Sequence, residues 1–157
     1  MDNLYSAYYQ SEIGILKITA SEDALVSLDF VNATTKPEPA KSNRIIEKTI
    51  DQLNQYFSGM RHDFDLDLDP RGTPFQKRVW EKLSEIPYGK TVSYSDIALR
   101  LGDKGAVRAV GLANKKNPIA IIIPCHRVIG TDGRLIGYAG GIHRKEWLLR
   151  HEKAILI

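Results

Sequence analysis

The sequence predicts an α+β protein of two small domains, residues 1–70 and 71–157. Three observations predict it. Residues 4–31 hold three short segments of alternating character, separated by turn-forming residues. Residues 41–57 carry apolar side chains at helical spacing. Beyond Pro70-Arg71-Gly72-Thr73-Pro74 the pattern becomes a series of short helices, and the charge changes sign. Residues 1–70 hold 12 acidic and 6 basic side chains, a charge of −6; residues 71–157 hold 7 and 16, a charge of +9, which together make the overall +3. The expected architecture is a small N-terminal antiparallel sheet with a helix, followed by a mainly helical domain containing a helix-turn-helix.

In the first strand Tyr5, Ala7 and Tyr9 alternate with more polar neighbours. Ile13, Ile15 and Ile18 do so less strictly in the second, and Leu25, Val26, Leu28 and Phe30 make the third. Ser11-Glu12 and Ser21-Glu22-Asp23 fall where turns belong, and residues 32–39, with two prolines, form a loop. A helix is expected over Lys41–Phe57, burying Ile45, Ile46, Ile50, Leu53 and Phe57, with Gly59 after its end. Phe64, Leu66 and Leu68 alternate with Asp63, Asp65, Asp67 and Asp69, predicting a strand with an acidic outer face. That row lacks the spacing and closing Glu of a calcium loop, so no metal is assigned to it.

Thr73 reads as an N-cap with Pro74 at the first helical position, and Phe75, Val79, Trp80 and Leu83 form the stripe of the helix that follows. Ser93 and Asp96 have the form of a capping box; Ile97, Ala98 and Leu101 supply the buried face, and Gly102 the stop. A second short helix over about Gly105–Asn114 makes the pair a helix-turn-helix candidate. Its residues Ala106, Ala109, Gly111 and Ala113 are small, with Arg108 the long basic side chain among them. That composition suits either close helix packing or a helix pressed on nucleic acid. Gly137-Tyr138-Ala139-Gly140-Gly141 lacks phosphate-loop spacing; it is a connector or a loop moulded round a flat ligand. A closing helix over His143–Glu152 turns Trp147 and Leu148 inward, leaving His151 and Glu152 to the surface by propensity.

One cysteine in 157 residues excludes an intrachain disulfide and a Cys-rich zinc site, and fits a reducing cytoplasm. Met1-Asp2-Asn3-Leu4-Tyr5 lacks the regions of a signal peptide, and no apolar run nears the ~20 residues of a membrane helix. The basic second half suits either a polyanion-binding face or a solvated basic surface. That half also holds Ile121-Ile122-Ile123-Pro124-Cys125-His126-Arg127-Val128, an apolar run expected as a buried strand that breaks at Pro124. A thiol there is either an inert core residue or a nucleophile whose ionised fraction His126 or Arg127 raises.

Pro124-Cys125-His126-Arg127-Val128 resembles the active-site signature of the methylated-DNA–protein-cysteine methyltransferases, the O6-alkylguanine-DNA alkyltransferase repair family. The likeness runs from about Thr73 to Glu152, through Tyr94, Arg108-Ala109-Val110-Gly111, Asn117-Pro118, the Tyr138 loop and Lys145-Glu146-Trp147-Leu148-Leu149. It implies a ribonuclease-H-like N-terminal domain and a suicide reaction without metal or cofactor. The partner is double-stranded DNA containing an alkylated guanine, with O4-methylthymine a further candidate substrate. The alkyl group moves irreversibly from O6 to Cys125.

In the family's pattern His126 is the base, acting through a water, Glu152 polarises it, and Tyr94 meets N3 of the leaving guanine. Main-chain groups of Cys125, Val128 and Ala139 bond the flipped base. Tyr138 walls the pocket, Leu135 with Tyr138 sets its volume, and Asn117 braces the turn beneath. Arg108 fills the gap in the stack, and Ala106, Ala109, Ala113 and Arg127 complete the DNA-binding set. A monomer is expected, with side-by-side binding on DNA left open. Two other functions fit fewer of these residues: a damaged-DNA-binding or helix-turn-helix regulatory module without transfer, and a hydrolase using Cys125, His126 and Glu152. The N-terminal domain lacks the cysteine that some relatives use to bind zinc there, and no second methyl-accepting domain is present.

Overall fold

A computed structural model describes residues 3–32, 34 and 36–155. The chain falls into two compact units that divide between Arg71 and Gly72.

In the first unit, β1 (Tyr5–Ser11), β2 (Gly14–Ala20) and β3 (Leu25–Phe30) form an antiparallel sheet in that order. The register runs from Tyr5 opposite Ala20 to Ser11 opposite Gly14, and from Leu16 opposite Phe30 to Ala20 opposite Leu25. One face buries Ala7, Tyr9, Leu16, Ile18, Ala20, Leu25 and Leu28. The inward set of β2 is therefore Leu16, Ile18 and Ala20, while Ile15 faces out, because a period of two admits only one parity to the core.

Helix α1 (Arg44–Phe57) begins three residues later than the spacing suggests. Lys41 instead exchanges two backbone hydrogen bonds with Ser6, and Asn43 caps the helix by accepting from the Ile46 amide at 3.0 Å. Its buried face is Ile45, Ile46, Thr49, Gln52, Leu53 and Tyr56; Ile50 and Phe57 are only half-buried.

The aspartate-rich segment keeps its alternation, with Phe64, Leu66 and Leu68 half-buried and the aspartates exposed, but it is not a strand of the sheet. It makes one bridge, Leu25 to Leu68. Gln52 holds it as well: its amide donates to the Asp65 carbonyl at 3.0 Å and accepts from the Asp65 N–H at 2.9 Å.

The second unit is built from α2 (Pro74–Ser84), β4 (Val92–Ser93), α3 (Tyr94–Arg100), α4 (Val107–Lys115), β5 (Val128–Ile129) and α5 (Ile142–His151). Thr73 and Gln76 close a capping box on α2, and Ser93 and Asp96 close one on α3. Trp80 on α2 donates its indole N–H to the Ala113 carbonyl at 2.9 Å, tying α2 to α4. A turn of 3-10 helix over Lys104–Ala106 precedes α4, so the regular helix starts at Val107 rather than Gly105. On α5 the buried residues are Lys145, Leu148 and Leu149; Trp147 is half-exposed and stacks on His151 at 4.9 Å.

If Gln52 fixes the aspartate segment, Gln52→Ala should cost about 1–2 kcal/mol in urea unfolding, because two backbone groups lose their partner. Asp67→Asn, at an exposed position, should stay within about 0.5 kcal/mol. A neutral Gln52→Ala would mean that the Leu25–Leu68 bridge holds the segment alone.

Candidate active site

The chain from Asn117 to Ile129 sets the position of the reactive thiol. Ile121 and Ile123 are buried as the apolar run suggests, but the run is a folded turn, not a strand. The Ile122 N–H donates to the Ala120 carbonyl at 2.8 Å around Ile121, whose φ is +71°. The Cys125 N–H donates to the Ile123 carbonyl at 2.8 Å around Pro124, and the Ile123 N–H reaches the Ile119 carbonyl at 3.1 Å.

A β-branched residue at positive φ costs about 1–3 kcal/mol and persists only where its surroundings over-determine it. Asn117 does that here. Its side chain accepts from the Ile119 N–H at 3.0 Å and donates to the carbonyls of Ile123 at 2.8 Å and Ile119 at 3.3 Å. The backbone groups a ladder would need are spent inside the turn, which is why no strand forms. Cys125–Arg127 then make one turn of 3-10 helix, and β5 pairs in parallel with β4, Val92 opposite Val128.

Cys125 is 6% exposed and His126 fully buried. His126 Nε2 lies 2.7 Å from Glu152 Oε2. Glu152 is the C-cap residue of α5 and only 2% exposed, against the surface position its propensity suggests. Arg127 grips the same carboxylate, Nε to Oε1 at 2.8 Å and Nη2 to Oε2 at 3.1 Å, and donates Nη1 to the Ile86 carbonyl at 2.7 Å. The Tyr88 ring lies against the guanidinium, 5.7 Å from its centroid.

Burial would raise the Glu152 carboxyl, but His126 and Arg127 outweigh it and hold it well below the usual carboxylate range. Burial pushes the His126 imidazole down against the pull of Glu152, so it is neutral. Since an ionised carboxylate only accepts, Nε2 carries the proton and Nδ1 is the bare nitrogen. Nδ1 is buried and has no hydrogen-bond partner among the described residues. Burial also pushes the Cys125 thiol up, against the pull of Asn117 and Lys145.

Tyr94, at the start of α3, donates its hydroxyl to the Ile136 carbonyl at 2.8 Å. Burial, and then the charge of Cys125, push its phenol up to about 12. Gly137 sits at φ +70°, and a Cβ there would lie 2.7 Å from Tyr94 Oη, so the loop can pass this hydroxyl only as glycine. Tyr138 is buried with its hydroxyl unpartnered among the described residues, Val128 is buried, Leu135 is half-buried and Ala139 is exposed.

On α4 and the 3-10 turn before it, Arg108 and Ala109 are exposed and Ala106 is half-buried. Ala113 is not on that face: it is buried, with its carbonyl bonded by Trp80. Arg127 likewise cannot reach a phosphate, since its guanidinium is buried and spent on Glu152 and Ile86.

Two residues of the site escape a reading by residue type. Asn114, buried on α4, donates to the Cys125 carbonyl at 3.4 Å. Lys145, buried on α5, donates to the carbonyls of Val128 and Ile136. The available signal is spacing: Lys145, Leu148, Leu149 and Glu152 fall at i, i+3, i+4 and i+7, the pattern of one buried helix face.

Residues 4–70 match the family model for the 6-O-methylguanine DNA methyltransferase ribonuclease-like domain, and residues 74–154 the one for its DNA binding domain. A Methanosarcina barkeri methylated-DNA--protein-cysteine methyltransferase is 49% identical over 154 residues, covering 96% of this chain and 98% of its own. The Mycobacterium bovis protein of the same name is 50% identical over 147 residues, covering 92% and 89%. The crystal structure of Mycobacterium tuberculosis O6-methylguanine methyltransferase has a TM-score of 0.87 at 46% identity, covering 97% of this chain and 94% of that one. The Mycobacterium tuberculosis OGT in complex with DNA has a TM-score of 0.85 at 49% identity, covering 94% and 91%.

The ion-pair geometry fixes two expected outcomes. Glu152→Ala leaves the Arg127 guanidinium buried without a counter-charge and should cost about 3–5 kcal/mol in denaturant unfolding. Acid should act in two steps. Unfolded histidine titrates near about 6.5 and unfolded glutamate near about 4.3. Both groups titrate lower when folded, so the unfolded chain binds more protons. Their stabilisation is complete above about pH 6.5 and declines as pH falls, through His126 first and Glu152 below about 4.3. Melting temperatures between pH 7 and 5 should fall less steeply in His126→Gln; an unchanged slope would mean that His126 is not held neutral.

Proposed function

Because the chain belongs to the 6-O-methylguanine DNA methyltransferase family, we propose that it is a single-use DNA repair protein that moves the alkyl group from O6 of a guanine in DNA to Cys125. One observation supports this most: a buried thiol stands next in sequence to a neutral imidazole whose Nε2 is fixed by an ion-paired carboxylate and whose Nδ1 has no partner. That is a nucleophile, a base and an orienting carboxylate in series.

In this reading the Cys125 proton passes to His126 Nδ1 through a water. The sulfur attacks the alkyl carbon, the S–C bond forms as the C–O6 bond breaks, and the bonding pair leaves with the purine. Tyr94 assists protonation of the departing base at N3. To do so its hydroxyl must exchange the Ile136 carbonyl for the base. The main chain at Cys125, Val128 and Ala139 holds the guanine edge, and Tyr138 and Leu135 bound the space for the alkyl group. The thioether has no route back to a thiol, so each chain reacts once.

A base in a duplex must leave the stack to meet a buried sulfur, at a cost of a few kcal/mol. The exposed Arg108 fits the role of filler for the vacated position, with Ala106 and Ala109 allowing close approach to the minor groove. α3 and α4 then act as a helix-turn-helix, and residues 1–70 as a support. All these groups lie on one chain, which supports a monomer as the unit of action. The reaction calls on no cofactor, and a thiol that must stay reduced suits the cytoplasm.

Intact mass after incubation with a duplex carrying one O6-methylguanine should rise by a single methyl, mapped to Cys125 and saturating at one per chain. Cys125→Ser should retain DNA binding and lose transfer; a serine variant that still clears the lesion would remove Cys125 as acceptor. Arg108→Ala should slow duplex repair on the order of tenfold while sparing reaction with the free base, since only the duplex demands unstacking. Equal losses on both substrates would contradict the filler role.

A further inference from the structure

Lys145 is 0% exposed, yet no carboxylate pairs with it among the described residues. Its ammonium donates to the carbonyl of Val128 on β5 and, at 2.7 Å, to that of Ile136 before the Tyr138 loop. The Ile136 carbonyl also accepts the Tyr94 hydroxyl, and the Tyr94 ring lies 5.8 Å from the ammonium. Glu152 is committed to Arg127 and His126. A buried cation without a counter-ion is costly, and an apolar residue of equal volume would stabilise at least as well. Neutral donors could bond two carbonyls without that cost, so packing does not account for a lysine.

The groups that face this charge are few. Cys125 and His126 come from the 3-10 turn and Tyr94 from α3, while Tyr138, from the loop, faces the same thiol. Burial raises both tyrosines, so they are neutral. His126 is neutral as well, and Arg127 and Glu152 offset each other. The one group among them that becomes negative in the reaction is Cys125.

We propose that Lys145 is a positioning residue for alkyl transfer: its unpaired ammonium clamps β5 to the loop before Tyr138 and supplies the positive charge against which Cys125 ionises. Burial pushes the ammonium down to about 8, and the charge of Cys125 pulls it back, as the reciprocity of one coupling requires. The purpose of this coupling rests on the alkyl-transfer reading, but the coupling itself can be measured without DNA.

The experiment is iodoacetamide alkylation of Cys125 from pH 6 to 9.5 in the full chain, comparing Lys145→Met, Lys145→Arg and the parent. Met keeps the volume and removes the charge. It should shift the thiol profile up by about one pH unit, making alkylation and methyl transfer about tenfold slower at pH 7.5, while the melting temperature holds or rises. Arg should recover most of the lost rate. A Met profile that superimposes on the parent's overturns the proposal.

Should Lys145→Met fail to fold, the parent protein decides by NMR titration of lysine labelled at Cε. Capping Cys125 with methyl methanethiosulfonate removes the thiolate, so the Lys145 titration should move to lower pH; an unmoved titration overturns the proposal. A parent that shows this coupling but takes no methyl from DNA would overturn the alkyl-transfer reading and leave the coupling standing.

Discussion

The site depends on one buried carboxylate with both oxygens engaged. Glu152 Oε1 takes Arg127 Nε, and Oε2 takes both Arg127 Nη2 and His126 Nε2. A buried anion is tolerated only when paired and hydrogen-bonded, and here the pairing also sets the chemistry. With the guanidinium partly neutralising it, Glu152 orients the imidazole, and its pull on a proton is outweighed by burial. Burial is the main reason His126 stays neutral, and the nearby Arg127 charge adds to it. Arg127 therefore acts on His126 through the carboxylate they share.

The backbone beneath is stressed to present the thiol. The positive φ of Ile121 and two tight turns fold the chain back on itself between residues 119 and 125. Nothing in the intrinsic preference of isoleucine favours this. Asn117 makes it possible by bonding three backbone groups of the turn: it is the partner of the Ile119 N–H and a second donor to the Ile119 and Ile123 carbonyls, which also accept from the Ile123 and Cys125 N–H groups. Loss of that side chain would release the strain and the position of Cys125 together, and would also remove the side-chain hydrogen bond that Asn117 offers the thiol.

Much of this was legible in residue order. Capping residues Thr73 and Ser93, the stop at Gly102 and the three strands of the sheet follow from local chemistry, which the tertiary structure leaves in place. The misreadings have a common cause. The isoleucine run looked like a strand because composition reports burial and not direction; the pairing that makes a strand lies elsewhere in the chain. Asp63–Asp69 alternates as a strand should, but its neighbour in the sheet offers only one bridge. The family's pattern puts Arg127 and Ala113 in the DNA-binding set, yet both are buried here, since a guanidinium can be buried when a carboxylate is buried with it and Trp80 packs over the end of α4. The face of α5 carried the missing signal, since a lysine and a glutamate in register with two buried leucines are not placed there by propensity.

Charge balance joins these parts. Before reaction the buried ions are Arg127, Glu152 and Lys145, a net charge of +1 in a region closed to solvent. Burial resists ionisation of Cys125, and a thiolate alone in that environment would be prohibitively rare. The excess positive charge of Lys145 favours the thiolate, and His126, without a partner at Nδ1, gives the proton somewhere to go; the transfer separates charge within the site and leaves its total unchanged. A site with an acidic residue opposite Lys145 would fold as well or better, but it would lose that bias. The lysine without a counter-ion is thus understandable as stability given up for a thiol that ionises more readily than its burial alone would allow.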